Sequence, residues 1–360
     1  MKNQGSIKPI AIHLPQYHPF KENDEWWGKG FTEWTNVTKA QPLFKGHYQP
    51  HLPADLGYYD LRLEEARIAQ AEMAKRYGIY GFCYYHYWFN GKRLMNEPID
   101  EILRTKKPDF PFMLCWANEN WTRTWDGAES NVLIAQDYSD ADDLEHIQFL
   151  CKVFADDRYI KIDGKPFFVI YKPFLLPDLK RTIDTWRTEV VKAGFPGLVI
   201  GVMNSTVSYQ DVLAAGSDYV IDFQPNFSLA PTQEFAPLSH KLKNKLFGVE
   251  SAYYNHKIVS YKKYVDHIIH QNYYRPKLIP GITPGWDNTA RKRKNGFIFK
   301  DANPTDYGRW LQHIIDEFNC EQPYLFINAW NEWAEGNHLE PDHKWGTRYL
   351  EETQIKINNS

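Results

Sequence analysis

The chain has 360 residues and a formal net charge of −3, which leaves no electrostatic case for nucleic acid or an anionic membrane surface. Its length suits an α/β barrel with loop insertions and can bury a large core. Aromatic residues make up 16% of it, with 13 Trp and 23 Tyr. Such rings unite apolar area with a polar handle, which suits the faces of sugar rings or, equally, a large core under a Tyr-rich surface.

The start, Met1 to Lys8, is polar and has no signal-peptide core, and no run is long enough to span a membrane. A cytoplasmic chain is expected. Short β-rich runs follow at Ile7–His13, Ile79–Tyr85, Phe112–Trp116, Phe167–Tyr171, Leu198–Met203, Tyr219–Phe223, Lys277–Thr283 and Tyr324–Ala329. They do not alternate clearly, as expected of strands buried on both faces. Helical patterns lie between most of them, at Glu64–Tyr77, Asp142–Phe154, Asp178–Ala193, Tyr209–Ala215, Tyr261–Gln271 and Pro304–Phe318. Eight strands alternating with helices predict a (β/α)8 TIM barrel with long βα-loop insertions, one catalytic domain over residues 1–360. A doubly wound sheet would want a Gly-rich turn after the first strand, and His13-Leu-Pro-Gln-Tyr17 is not one.

Two long connections, residues 14–61 and 224–256, invite functional readings. The first holds Trp26, Trp27 and Trp34, either a stacking wall over a cleft or a self-packed loop. The basic run Arg291-Lys-Arg-Lys294 reads as a solvated surface cluster, with contact to an anionic sugar or phosphate as the minor alternative. Cys83 and Cys115 sit in apolar runs and read as core; none of the four cysteines forms a C-x-x-C pair.

A barrel places its site at the C-terminal strand ends. Those ends carry His13, Gln16, Tyr17 and His18; then His86 and Tyr87; then Trp116, Asn118, Glu119 and Trp121, with Arg123, Trp125 and Asp126 beyond. Later ends carry Tyr171, Lys172, Asn204, Asp222, Trp286, Asp287, Asn331, Glu332, Trp333 and Glu335. The N-terminal ends carry ordinary turn residues. A polar, aromatic-lined cleft for an oligosaccharide or polysaccharide is expected. Glu332 and Glu335, three apart, would share a face in a helical turn, about 5–6 Å between Cβ atoms. Close carboxylates push their pKa values apart and can divide acid from base. Glu119 is the third candidate; Glu340 and Asp342 read as a turn or substrate rim. His13, His86 and His338 each read better as hydrogen-bonded structural residues. No metal-ligand spacing, phosphate loop or nucleophile elbow appears, so no metal or cofactor is expected. Oligomeric state is not legible.

The chain resembles the WbsX-type family, often labelled glycosyltransferases of surface-polysaccharide gene clusters. The resemblance rests on His13-Leu-Pro-Gln-Tyr-His18, the segment Asn23–Asn36, Gly81–Phe89, Trp116-Ala-Asn-Glu-Asn-Trp121, Pro284-Gly-Trp-Asp-Asn288 and Asn331-Glu-Trp-Ala-Glu-Gly336. That family is similar to glycoside hydrolase family 99, the endo-α-mannosidases. The resemblance implies a (β/α)8 barrel with retaining chemistry. It makes Glu335 the general acid/base and Glu332 the base that deprotonates the sugar 2-hydroxyl, through an epoxide-like intermediate. Ala334 stands where family 99 commonly has His. A glycosyltransferase using an activated sugar donor is the competing function. Its metal-holding Asp-x-Asp would be Asp140-Ala-Asp142, which reads better as the start of a helix. A non-catalytic glycan-binding barrel is a third reading, disfavoured by the retained glutamate pair.

Overall fold

The eight apolar runs become one parallel sheet. The computed structural model describes residues 6–123, 128–204, 209–238, 246, 251–271 and 275–359. Its strands are β1 (Lys8–His13), β2 (Gly81–Phe89), β3 (Phe112–Trp116), β4 (Lys165–Ile170), β5 (Val199–Asn204) and β6 (Tyr219–Asp222). They continue with β7, in two pieces (Leu278–Ile279 and Gly281–Ile282), and β8 (Tyr324–Ile327). The spatial order runs from the first piece of β7 through β6, β5, β4, β3, β2, β1 and β8 to the second piece. Both ends of that path are the same strand, so the sheet closes into a barrel. Pro280 makes the break: it has no N–H to give, while its carbonyl accepts the Phe326 N–H at 2.9 Å. The next residue must be glycine. A Cβ at Gly281 would lie 1.8 Å from the Asp222 carbonyl oxygen.

Ile10, Ala11 and Ile12 of β1 and Leu325, Phe326 and Ile327 of β8 are all buried, which explains the missing alternation. Outside lie α1 (Lys21–Trp27), α2 (Glu33–Lys39), α3 (Glu64–Arg76), α4 (Glu97–Thr105), α5 (Asp140–Phe154) and α6 (Leu179–Lys192). Then come α7 (Tyr209–Ala214), α8 (Tyr261–Ile269), α9 (Pro304–Asp316) and α10 (Arg348–Asn358). The six helices expected from sequence are present within a few residues. Helices α1, α2, α4 and α10 were not foreseen; α1 and α2 occupy the long first connection.

Helix α5 shows how local chemistry sets an end. The Ser139 hydroxyl accepts the Asp142 N–H, and Asp140, Asp142 and Asp143 fill the positive first turn. The Asp142 carboxylate also accepts the Trp88 indole N–H at 2.7 Å. Asp140-Ala-Asp142 is therefore a helix start. Cys83 and Cys115 are buried, as expected. Among the described residues, no helix is long and apolar enough to cross a membrane.

Candidate active site

After β8 the chain makes a small hairpin rather than the expected helical turn. Asn331–Glu332 pairs antiparallel with Asn337–His338, and one 3-10 turn, Trp333–Glu335, joins them. Gly336 closes the turn at φ 56°, in the left-handed region, where a Cβ would sit 2.9 Å from the Asp287 Cβ. Glu332 thus ends the first arm of the hairpin and Glu335 lies on the turn, so no helix face unites them.

Arg291 unites them instead. Its Nη1 donates to Glu335 Oε1 at 2.7 Å and its Nη2 to Glu332 Oε2 at 3.2 Å. Nη2 also donates to Glu33 Oε2 at 2.9 Å. The Arg291 side chain is 12% exposed and that of Glu33 0%, so the expectation of a solvated basic surface fails at Arg291. The Asp287 side chain starts the 3-10 turn Asn288–Ala290 that carries this arginine inward. Burial and the neighbouring Glu335 raise the Glu332 carboxyl to about 8, with Arg291 pulling the other way. Burial also raises Glu335, again opposed by Arg291. Burial disfavours the Arg291 charge, but Glu33, Glu335 and Glu332 together hold it well above the usual range. Three carboxylates against one guanidinium would total −2 if all ionised, so the cluster favours keeping a proton.

Glu332, Glu335 and Arg291 border a cleft of about 480 Å³ at the C-terminal end of the barrel. Of the expected residues, Gln16, Tyr87, Glu119, Trp121, Tyr171, Lys172 and Trp286 also line it. Trp121 packs on Tyr87 with ring centres 5.4 Å apart and on Trp26 at 5.6 Å. Gln16 is 3% exposed, and its amide nitrogen has no hydrogen-bond partner among the described residues. Glu119 lies at the mouth, 4.0 Å from the Lys172 ammonium.

The other expected residues are elsewhere. His13 is buried and bonded to Gln70. Tyr17 is buried and donates to the Asn331 carbonyl. Asn331 clamps β1 to the hairpin, accepting from Leu14 N at 2.8 Å and donating to Leu14 O at 3.0 Å. Trp34 packs against Tyr17, Tyr59 and Trp333, so this part of the Trp-rich loop is self-packed. Trp27 packs on Phe31. His86 contacts the buried His146, Trp116 is wholly buried, and Asn118 ties Lys172 to Tyr138. Asp287 accepts from Gln49 and bonds His47. Trp125 and Asp126 lie outside the described residues, as do the side chains of Arg123 and Asn204.

Glu340 is no rim residue. It is 2% exposed and accepts from Trp333 Nε1 at 2.6 Å, Tyr59 Oη at 2.7 Å and Gln70 Nε2 at 2.7 Å. His338 stacks on Trp333 with ring centres 3.8 Å apart. His51, His338 and Asp342 bring one ligand atom each within 4.8 Å, a grouping a metal could use and one that sequence spacing could not reveal. It borders a separate cavity of about 60 Å³.

Sequence reading missed Arg291 as a site residue, along with Glu33, Tyr85, Phe89, Phe223, Phe227 and Asn328. Glu33 lies inside the quoted Trp-rich motif, and Arg291 heads the basic run. Nothing local links either to a motif 40 or more residues away.

The profile of the family described as Glycosyltransferase WbsX matches residues 9–353. A protein described as uncharacterized protein WxcX, from Xanthomonas campestris pv. campestris, is 38% identical over 355 residues. That match covers 98% of this chain and 50% of WxcX, so the chain spans about half the length of the curated relatives it matches. The fold is similar to the GH99 endo-alpha-mannosidase from Bacteroides thetaiotaomicron, with a TM-score of 0.60, 16% identity, and 98% and 96% of the two chains covered. It is also similar to a glycoside hydrolase-like protein, with a TM-score of 0.62, 15% identity, and 99% and 95% covered.

Proposed function

The chain belongs to the WbsX glycosyltransferase family, and from that premise we propose that it processes glycans by glycosidase-type chemistry. Glu332 and Glu335 cleave a glycosidic bond of a polysaccharide or surface glycan, passing the sugar to water or another acceptor. One observation carries this reading: two carboxylates with raised pKa values share one guanidinium at the edge of an aromatic-lined cleft.

The leaving oxygen needs a proton, and the anomeric carbon needs an attacking oxygen made more nucleophilic by a base. The pair can supply both because burial retains a proton between them. Likeness to family 99 assigns the acid to Glu335 and the 2-hydroxyl base to Glu332. The guanidinium lies nearer Glu335, 2.7 Å against 3.2 Å, which favours Glu332 as the protonated member. Substrate entry therefore has to loosen Arg291 from Glu335 and let the proton pass to it. Tyr87, Trp121 and Tyr171 offer stacking faces, and Gln16 offers an unused amide to a sugar hydroxyl.

Transfer from an activated donor is the second reading, favoured by the family's description. The Asp-x-Asp that would serve it begins α5. The deciding test incubates the protein, Glu332→Gln and Glu335→Gln with α-linked manno-oligosaccharides and bacterial surface polysaccharides, without nucleotide sugar. Product from the wild type, lost about 10²- to 10⁴-fold in both variants, is expected. Transfer from an added nucleotide sugar that survives Glu335→Gln, with no cleavage, would sink the reading.

A further inference from the structure

We propose that His51, His338 and Asp342 bind one divalent transition-metal ion of the zinc class, which pins the hairpin carrying Glu332 and Glu335 to the first long connection. The three come from two segments, His51 before α3 and the other two after β8. One ligand atom of each lies within 4.8 Å of the others, and this is the only such group of His, Cys, Asp and Glu among the described residues. His51 Nδ1 and His338 Nε2 are 2.8 Å apart, and Asp342 Oδ2 is 3.8 Å from His338 Nε2. Ligands around a tetrahedral zinc ion stand roughly 3.3 Å from one another, so the imidazoles part by about half an ångström and the carboxylate closes in by about as much. The trio borders the cavity of about 60 Å³, which has room for the ion and a water as its fourth ligand.

Both ligands on the β8 side are held from behind. His338 Nδ1 lies 2.9 Å from the Glu340 carbonyl oxygen, which only accepts, so Nδ1 carries the hydrogen and Nε2 turns its lone pair toward His51. A backbone carbonyl tied to the far ring nitrogen is the usual setting of a metal-binding histidine. Asp342 Oδ1 accepts the Lys344 and Trp345 N–H groups at 3.0 and 2.5 Å, which leaves Oδ2 on the His338 side. The segments that supply the ligands are themselves paired: His343 N donates to Leu52 O at 3.0 Å and Ala54 N to Pro341 O at 2.9 Å. A hydrogen bond between the two imidazoles accounts for their own contact but gives the Asp342 carboxylate no part in it; an ion uses all three. Asp287 favours positive charge at His51 and Lys344 opposes it, so the directly bonded Asp342 tips the balance toward a cation. His338 also stacks on Trp333 and pairs with Asn331 across the hairpin. An ion on His338 therefore stiffens the turn that presents Glu335, from outside the cleft. Its binding does not depend on which reaction the glutamate pair performs.

The test strips the full chain with a chelator and titrates it with zinc chloride, following heat and thermal midpoint, with elemental analysis for stoichiometry. One zinc per chain, a dissociation constant in the micromolar range or below, and a raised midpoint are expected. Asp342→Asn keeps an acceptor for the Lys344 and Trp345 N–H groups, and His51 is only half-buried, so Asp342→Asn and His51→Gln should both fold. Each should weaken zinc binding by roughly tenfold or more, since losing even an outer partner of a metal ligand costs that much. His267→Gln/His270→Gln, which removes two exposed histidines at the end of α8, should bind zinc as the wild type does. No zinc on the wild type, binding undiminished in both Asp342→Asn and His51→Gln, or binding lost with the α8 pair overturns the proposal. Zinc is the only probe and no sugar is present. Failure here leaves the glycosidase reading standing, and failure of cleavage leaves the metal site standing.

Discussion

Two buried carboxylate centres lie eight positions apart, one in the hairpin and one just after it, and they differ in kind. Glu340 is raised to about 7 by burial, opposed by hydrogen bonds from Trp333, Tyr59 and Gln70. Glu332 is raised to about 8 by burial and by a second carboxylate, opposed by one guanidinium. The displacements are similar and their settings are not. Glu340 is enclosed by neutral donors that use up its lone pairs, and it lines no part of the cleft. Glu332 borders the cleft and shares its cation with Glu335 and Glu33. A displaced pKa alone does not mark chemistry. A second titratable group and access for a substrate do.

Breaking the cation should have the largest effect. Arg291→Ala leaves three carboxylates around an empty place; stability should fall by about 3–5 kcal/mol in chemical denaturation, with turnover lost. Arg291→Lys should recover less than half, because an ammonium cannot fork to three partners. If Arg291→Ala folds as stably as the wild type, the cluster is not the electrostatic unit described here.

The neutral centre should respond in stability more than in catalysis. Glu340→Ala orphans the Tyr59 hydroxyl, the Trp333 indole N–H and the Gln70 amide, at a cost of about 2–4 kcal/mol. Its turnover, measured well below the melting point, should fall far less than that of Glu335→Gln. Equal losses of turnover would erase the distinction between the two centres.

The smallest effect is in pH dependence. Because Glu332 is raised to about 8, its proton is present at neutral pH and lost above pH 8. Turnover should fall as pH rises through that value, a limb that belongs to the pair as a unit. The sign for stability follows. A carboxyl that holds its proton more tightly folded than unfolded contributes fully below the ordinary carboxylate range, and its contribution erodes as pH rises to about 8. Glu332→Gln should flatten that part of the stability profile. A wild-type profile identical to the variant's between pH 5 and 8 would contradict the raised value.

The barrel was legible because its causes are local. Buried strands must be short, apolar and unalternating, and the helices between them must present one apolar face; both patterns can be read within ten residues. Helices α1 and α2 escaped inside a polar connection rich in Trp and Gly. The hairpin motif named Glu332 and Glu335 because carboxylates interleaved with tryptophan after a strand are rare. The same linear reading assigned Asn331, Tyr17 and Trp333 to substrate, whereas packing gave them to the join between β1 and the hairpin.

What the sequence determined by itself was therefore the class of fold and the carboxylate pair, since both depend on neighbours in the chain. What only the tertiary structure decided was electrostatic company. Arg291 and Glu33 stand 258 positions apart and meet at 2.9 Å because β1 and β7 lie on either side of β8, and the connections after them converge at one end of the barrel. Coulomb energy depends on that distance and on burial, and neither is written in the spacing of residues along the chain.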